Sequence, residues 1–237
     1  MMDVGKYKGK ITTPTNSLWF LTHNYLFDPI IPFTIEDKRK DIVDRRTVTG
    51  NSRLLSYTEN LEYKNTYSLT FKTGSISLKY WVLNTKGANP RDRIQHYTLP
   101  SQPIIITLNG QKQGFIGNSL IKKDLKLPFL ERYLIVQIET DYLDNNSKRE
   151  LFSSTRESLR DTSIYQDLKQ MVIDSLSNDE MLNKLDADRK RRYFIENENL
   201  DIDKIKDSLS IKLNRYLRQS KHNQRINNNN PLDQLSK

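Results

Sequence analysis

Arg156 stands among hydroxyl residues in ELFSSTRESL, residues 150–159. A guanidinium is planar, permanently charged and bidentate toward phosphate oxygens. Ser153, Ser154 and Thr155 favour a helix start, where a cation faces the positive dipole end and loses about 0.3–1 kcal/mol. An anion between the two would turn that liability into a site. The competing reading is structural: Arg156 pairs with Glu150, Glu157 or Asp161, and the hydroxyls only cap a helix.

A second cluster is DADRKRRYF, residues 186–194, with Arg189, Lys190, Arg191 and Arg192 in succession. It reads either as a solvated face near a helix end or as a surface for a polyanion or a partner protein. DKRKDIVDRR, residues 37–46, is a weaker mixed-charge candidate. His23, His96 and His222 are scattered without a second ligand at motif spacing, so no metal site is expected. Neither a phosphate-binding glycine loop nor a nucleophile elbow occurs. Alone, the chain does not read as an enzyme.

The elements that must position these groups come from 237 residues, 35% hydrophobic and 28% charged, with net charge +9. Residues 1–100 carry 15 basic and 9 acidic residues, so most of the surplus lies there. A basic balance permits nucleic-acid binding without establishing it. The chain has no cysteine, which excludes disulfides and thiolate chemistry. No apolar run approaches the ~18 residues of a membrane span, and the start has no signal-peptide core. The expectation is a soluble, cytoplasmic protein.

Ser17 is placed to cap a short helix carrying Leu18, Leu21 and Tyr25 at helical spacing, ended by Pro29. Residues 30–36 predict a strand and residues 37–53 a charged loop. TYSLTF (66–71) and SISLKYWVL (75–83) predict a hairpin, with Gly74 at its turn. IIITL (104–108) and YLIVQIE (133–139) predict buried strands, and Asn109-Gly110 a tight turn after the first. Residues 162–176 place Ile164, Leu168, Met171, Val172 and Leu176 on one helical stripe. Ser177 with Glu180 predicts a capping box for the next helix, and residues 202–217 continue the helical period. Strands first and helices later give an α+β fold.

The block from 104 to 159 carries a resemblance. IIITLNGQKQG is a strand ending in an Asn-Gly-Gln turn; YLIVQIETDYL is a strand running into an acidic turn; RELFSSTRESL is a Ser/Thr-Arg-Glu-x-Leu segment. In this order they resemble the second domain of GHKL-type ATPases, the superfamily of gyrase, heat-shock chaperones, histidine kinases and MutL-type repair proteins, and most closely bacterial proteins with a chaperone-like ATPase domain. The resemblance spans roughly residues 60–180 in the order of elements and is specific over 104–160. It implies a mixed sheet with a βαβ transducer-type domain, similar to ribosomal protein S-five, followed by a C-terminal helical segment. The motif positions fall on Thr155, Arg156, Glu157 and Leu159, and the Arg156 position implies contact with the γ-phosphate of ATP, beside Ser154 and Thr155.

The ATP-site motifs of that superfamily, Glu-x-x-x-Asn, Asp-x-Gly-x-Gly and a glycine-rich lid, are absent from this sequence. The resemblance therefore implies that ATP, with magnesium indirectly, is held mainly by an ATP-binding domain in cis or in trans. The expected layout is a linker or last strand with an entry helix over 1–28, the transducer-like domain over 29–176, helices over 177–219 and a disordered tail over 220–237. The role would be to couple nucleotide state to movement of the C-terminal helices, as part of an ATP hydrolase. A homodimer and DNA binding stay open. The alternatives are a basic nucleic-acid-binding module and a protein-interaction adaptor.

Overall fold

The computed structural model describes residues 8–13, 16–39, 43–85, 94–153, 159–195 and 209–210. The chain divides into two units, Met1–Asp186 and Ala187–Lys237. The first is α+β. Its sheet has five strands: β3 (Leu61–Phe71), β4 (Gly74–Leu83), β5 (Ile104–Leu108), β6 (Gln111–Ile116) and β7 (Leu134–Glu139). They lie in the order β3-β4-β7-β5-β6. Only β5 and β7 are parallel, so the sheet is mixed. The crossover between them carries β6 and a π-helical turn, Leu120–Asp124.

Burial follows from that order. β5 is buried along its whole length and β7 to its penultimate residue, as unbroken apolar runs require when both faces of a strand are covered. β3, at an edge, alternates half-buried with exposed residues. One face of the sheet packs with α3 (Asn145–Leu151) and α4 (Ser163–Ser177) around Leu78, Ile106, Val136, Leu168 and Val172. The other face packs Trp81, Ile105 and Ile135 with Phe27 and with Leu55 of α2 (Asn51–Tyr57).

Several local readings shift. Residues 37–53, expected as a loop, contain β2 (Asp44–Val48) and the start of α2. β2 pairs with β1 (Phe33–Asp37) as a separate ribbon, with Glu36 opposite Arg45 and joined to it at 2.8 Å. Polar strands held by a cross-strand ion pair leave no apolar alternation to read.

The helix α1 (Leu18–Tyr25) starts as expected, with Ser17 Oγ accepting from the Phe20 N–H. Its buried residues, however, are Phe20, His23 and Asn24, while Leu21 and Tyr25 are exposed. The positive φ of the β3–β4 turn falls on Lys72, not Gly74. Gly74 instead opens β4 where the chain passes close to residues 142–144.

α4 covers the predicted stripe, burying Leu168, Val172 and Leu176. Ser177 ends α4 rather than capping its successor. The next helical residues begin at 180, and Asp179 Oδ1 accepts from the Leu182 N–H at 3.0 Å. Asp179 Oδ2 also accepts from the hydroxyls of Tyr67 and Tyr80, which ties this helix start to β3 and β4. Asp186 Oδ1 accepts from the N–H groups of Phe129 and Leu130.

In the second unit, residues 187–195 are helical. The helical period expected over 202–217 lies outside the described residues except for 209–210, and the tail over 220–237 lies wholly outside them.

Candidate functional site

The Asn109-Gly110 turn forms as the sequence predicts, with φ values of 52° and 71°. Asp141 Oδ1, in the acidic turn after β7, accepts from the Asn109 N–H at 2.6 Å. The Asp28 N–H donates to the Gly110 carbonyl at 2.9 Å, seating the segment after α1 on the same turn.

β6 leaves that turn as an edge strand. Its pairing with β5 shifts between Ile106 and Thr107, so Gln113 is an extra residue without a partner across the ladder. A β-bulge of this kind re-aims side chains next to it. Gln113 and Lys112 both line a cleft of about 620 Å³ along β6. α1 supplies Leu21, Asn24 and Tyr25 to one wall; Leu159, Arg160, Asp161 and Tyr165 supply another.

The polar groups of the cleft are unevenly satisfied. Lys112 Nζ donates to Gln102 Oε1 at 2.5 Å and lies 5.2 Å from the centroid of the Phe115 ring. No carboxylate of a described residue forms an ion pair with it. Burial lowers its pKa to about 8, because a low-dielectric surround disfavours the ammonium. Gln113 is 2% exposed, and its Oε1 has no partner among the described residues. Asn24 is 9% exposed; its Nδ2 donates to the Phe20 carbonyl, and its Oδ1 has no partner among the described residues. Across the cleft, Asp161 Oδ1 accepts from Gln166 Nε2 at 2.6 Å. The Tyr165 pKa is raised, first by burial and then by the Asp161 charge.

The Ser/Thr-Arg-Glu-x-Leu segment meets this cleft at its end. α3, capped by Asp144 through the N–H groups of Asn146 and Ser147, ends at Leu151. Phe152 and Leu159 then form an antiparallel bridge. The Arg160 N–H donates to the Leu151 carbonyl, and α4 begins only at Ser163, behind Thr162 as its cap. Leu159 is thus paired in a bridge rather than placed in a helix opened by this segment. Its side chain rests on Gly114 of β6, where a Cβ would stand 2.7 Å from Leu159 Cδ1. Ser154, Thr155 and Arg156 lie outside the described residues.

The basic run of the second unit does not present four equivalent cations. Lys190 and Arg191 are exposed, Arg192 is half-buried and Arg189 is 5% exposed. Among the described residues no group of His, Asp or Glu is arranged to hold a metal ion. Among those residues no helix is long and apolar enough to cross a membrane.

Sequence reasoning missed Asn24, Gln102 and Tyr165 as cleft residues. It also left Lys112 and Gln113, directly after the Asn-Gly-Gln turn, without a role. The bulge that turns them into the cleft has no one-residue signature.

No family model matches the chain. No curated protein matches it. Among solved structures it is similar to the B subunit of the DNA gyrase from Myxococcus xanthus, with a TM-score of 0.36 and 8% identity over 74% of this chain. The matched part is 52% of that subunit, so the chain spans about half its length.

Proposed function

We propose that this chain is the transducer half of a GHKL-type ATPase, with Arg156 contacting the γ-phosphate of ATP held by an ATP-binding domain in cis or in trans. The observation that carries the reading is spatial. The three motif pieces of the resemblance connect through β6 and the turn before it: the Asn109 turn bonds to the acidic turn through Asp141, and Leu159 packs on Gly114 within β6.

The surroundings fit an anion. Lys112 and Arg160 bring two cations to a cleft whose lining holds one carboxylate, Asp161, and no described carboxylate forms an ion pair with Lys112. Bound ATP supplies a phosphoryl group whose transfer develops charge on its outer oxygens. Arg156 from a second domain offers a bidentate counter-charge, and such an arginine contributes mainly electrostatic stabilisation. Ser154 and Thr155 would orient the segment. Magnesium belongs with the nucleotide in the ATP-binding domain. The helical residues after Asp179 would transmit the motion.

The test is association with the ATP-binding domain. Affinity in the presence of a non-hydrolysable ATP analogue should exceed that with ADP, and Arg156→Ala should erase the difference. Equal affinity with both nucleotides in the unaltered protein would overturn the proposal.

A further inference from the structure

We propose that the free edge of β6 binds an extended peptide as an added strand, taking an acidic side chain beside Lys112 and an aliphatic one beside Phe115. The inference rests on the sheet edge and stands without the transducer reading.

β6 ends the sheet, and β5 is its strand partner. The direction of its backbone groups follows from that ladder. The Thr107 carbonyl accepts from the Thr140 N–H, and the Pro103 carbonyl from the Val136 N–H, so Pro103, Ile105 and Thr107 turn toward β7. Lys112 stands opposite Thr107, and Phe115 opposite Ile105. Both are therefore non-hydrogen-bonded pairs, and the N–H and C=O groups of Lys112 and Phe115 point away from the sheet. Among the described residues no backbone group bonds to them. The bulge at Gln113 takes up the extra residue between them, so an added strand meets them as successive ladder positions.

The cleft follows this edge, with a wall from each face of the sheet. Leu159 and Tyr165 pack with the core around Ile106, while α1 leads into Phe27 on the face of Ile105. A second copy's β6 would carry its own two walls into these, so a single extended segment fits where another sheet edge does not. On the α1 side, Phe115, Leu21 and Tyr25 are exposed apolar groups that an aliphatic side chain would cover. Lys112 Nζ, 5.2 Å from the Phe115 ring centroid, donates to Gln102 Oε1 and keeps donors for a carboxylate. Arg160 and Asp161 belong to the other wall, where Asp161 Oδ1 accepts from Gln166 Nε2; small neutral side chains suit that side. The ligand is thus acidic, small and aliphatic in succession. Its main chain supplies affinity and its alternate side chains supply specificity.

The test uses the full chain and fluorescence anisotropy with the labelled, end-blocked peptide Thr-Glu-Thr-Val-Thr and its reverse order. One of the two should bind at least ~10-fold more tightly than the same peptide with lysine in place of glutamate. N-methylation of the alternate peptide nitrogens that face β6 should weaken binding at least ~10-fold, and methylation of the other set should leave it within ~2-fold. Lys112→Met should weaken the glutamate peptide by up to ~5-fold and leave a glutamine version unchanged. Circular dichroism melts check that this variant folds; the methylated peptides need no variant. In the unaltered protein, exchange of the Lys112 and Phe115 amide hydrogens should slow when peptide is added.

Absence of binding by both peptide orders at ~1 mM, or equal loss from methylating either set of nitrogens, would overturn the proposal. So would protection of both amides in the free monomer, which would mean that the chain's own residues fill the edge. Protection that rises with protein concentration would assign the edge to a second copy and would overturn it equally.

Discussion

Leu159 lies directly on Gly114: a Cβ at position 114 would stand 2.7 Å from Leu159 Cδ1. This contact closes the base of the Ser/Thr-Arg-Glu-x-Leu segment onto the edge strand that follows the Asn-Gly-Gln turn. Glycine is required here for the close approach of a neighbouring side chain, not for an unusual φ. Gly114→Val therefore overpacks the contact and should destabilise the protein by about 1–3 kcal/mol in a urea melt. Gly117→Ala is the control, because its nearest neighbour, the Ser101 carbonyl oxygen, would stand 3.8 Å away. A variant at 114 that melts like the control would show that Leu159 yields without cost.

Asp179 joins the sheet to the helix start that follows α4, through Tyr67, Tyr80 and the Leu182 N–H. Burial by itself would raise its pKa, but the bonds from Tyr80, Tyr67 and the backbone outweigh burial and hold it below the ordinary carboxylate value of 3.8. A carboxylate depressed in the folded state stabilises above its unfolded pKa and loses that contribution as pH falls through the folded one. Stability should thus drop on acidification below about pH 4, and Asp179→Asn should flatten that drop. Tyr80→Phe removes one donor from a buried carboxylate and should cost about 1–3 kcal/mol. Urea melts at two pH values check both statements. An Asp179→Asn protein with an unchanged acid limb would refute this account of the cluster.

Lys112 has its pKa lowered to about 8 by burial, against an ordinary value of 10.5. A depressed lysine pKa means that folding is penalised while the ammonium must stay charged. The contribution is therefore fully present above pH 10.5 and is lost as pH falls through about 8. Stability should rise between these values, and Lys112→Met should remove the rise. The same shift makes Lys112 a faster nucleophile toward an acylating reagent at pH 8 than an exposed lysine such as Lys122. Mass-spectrometric labelling rates would show it. Equal rates would mean that the cleft is wetter than its packing implies.

Much of this architecture was legible from periodicity. The apolar runs IIITL and LIVQIE sit where both faces are covered, and the α4 stripe turns inward at Leu168, Val172 and Leu176. The Asn109-Gly110 turn follows from backbone preference alone. What stayed hidden depends on tertiary partners. β2 is polar and is held by the Glu36–Arg45 pair, so no alternation announces it. Helix α1 has apolar residues around most of its circumference, and spacing could not choose which face to bury; Leu21 and Tyr25 went to the cleft. Asp179 displaced Ser177 as a cap because two tyrosines more than ninety residues away in sequence also bind it. The cleft itself rests on a bulge at Gln113, a property of the pairing rather than of any one residue.

The most direct measurement of the transducer account is steady-state ATP turnover by the ATP-binding domain acting with this chain, compared with the Arg156→Ala protein. The account predicts a loss of at least ~10-fold in kcat, since an arginine supplied to a phosphoryl group acts mainly on the transition state. Turnover equal to that of the unaltered protein would contradict the role assigned to Arg156 and, with it, the reading of this segment as the phosphate-facing part of the chain.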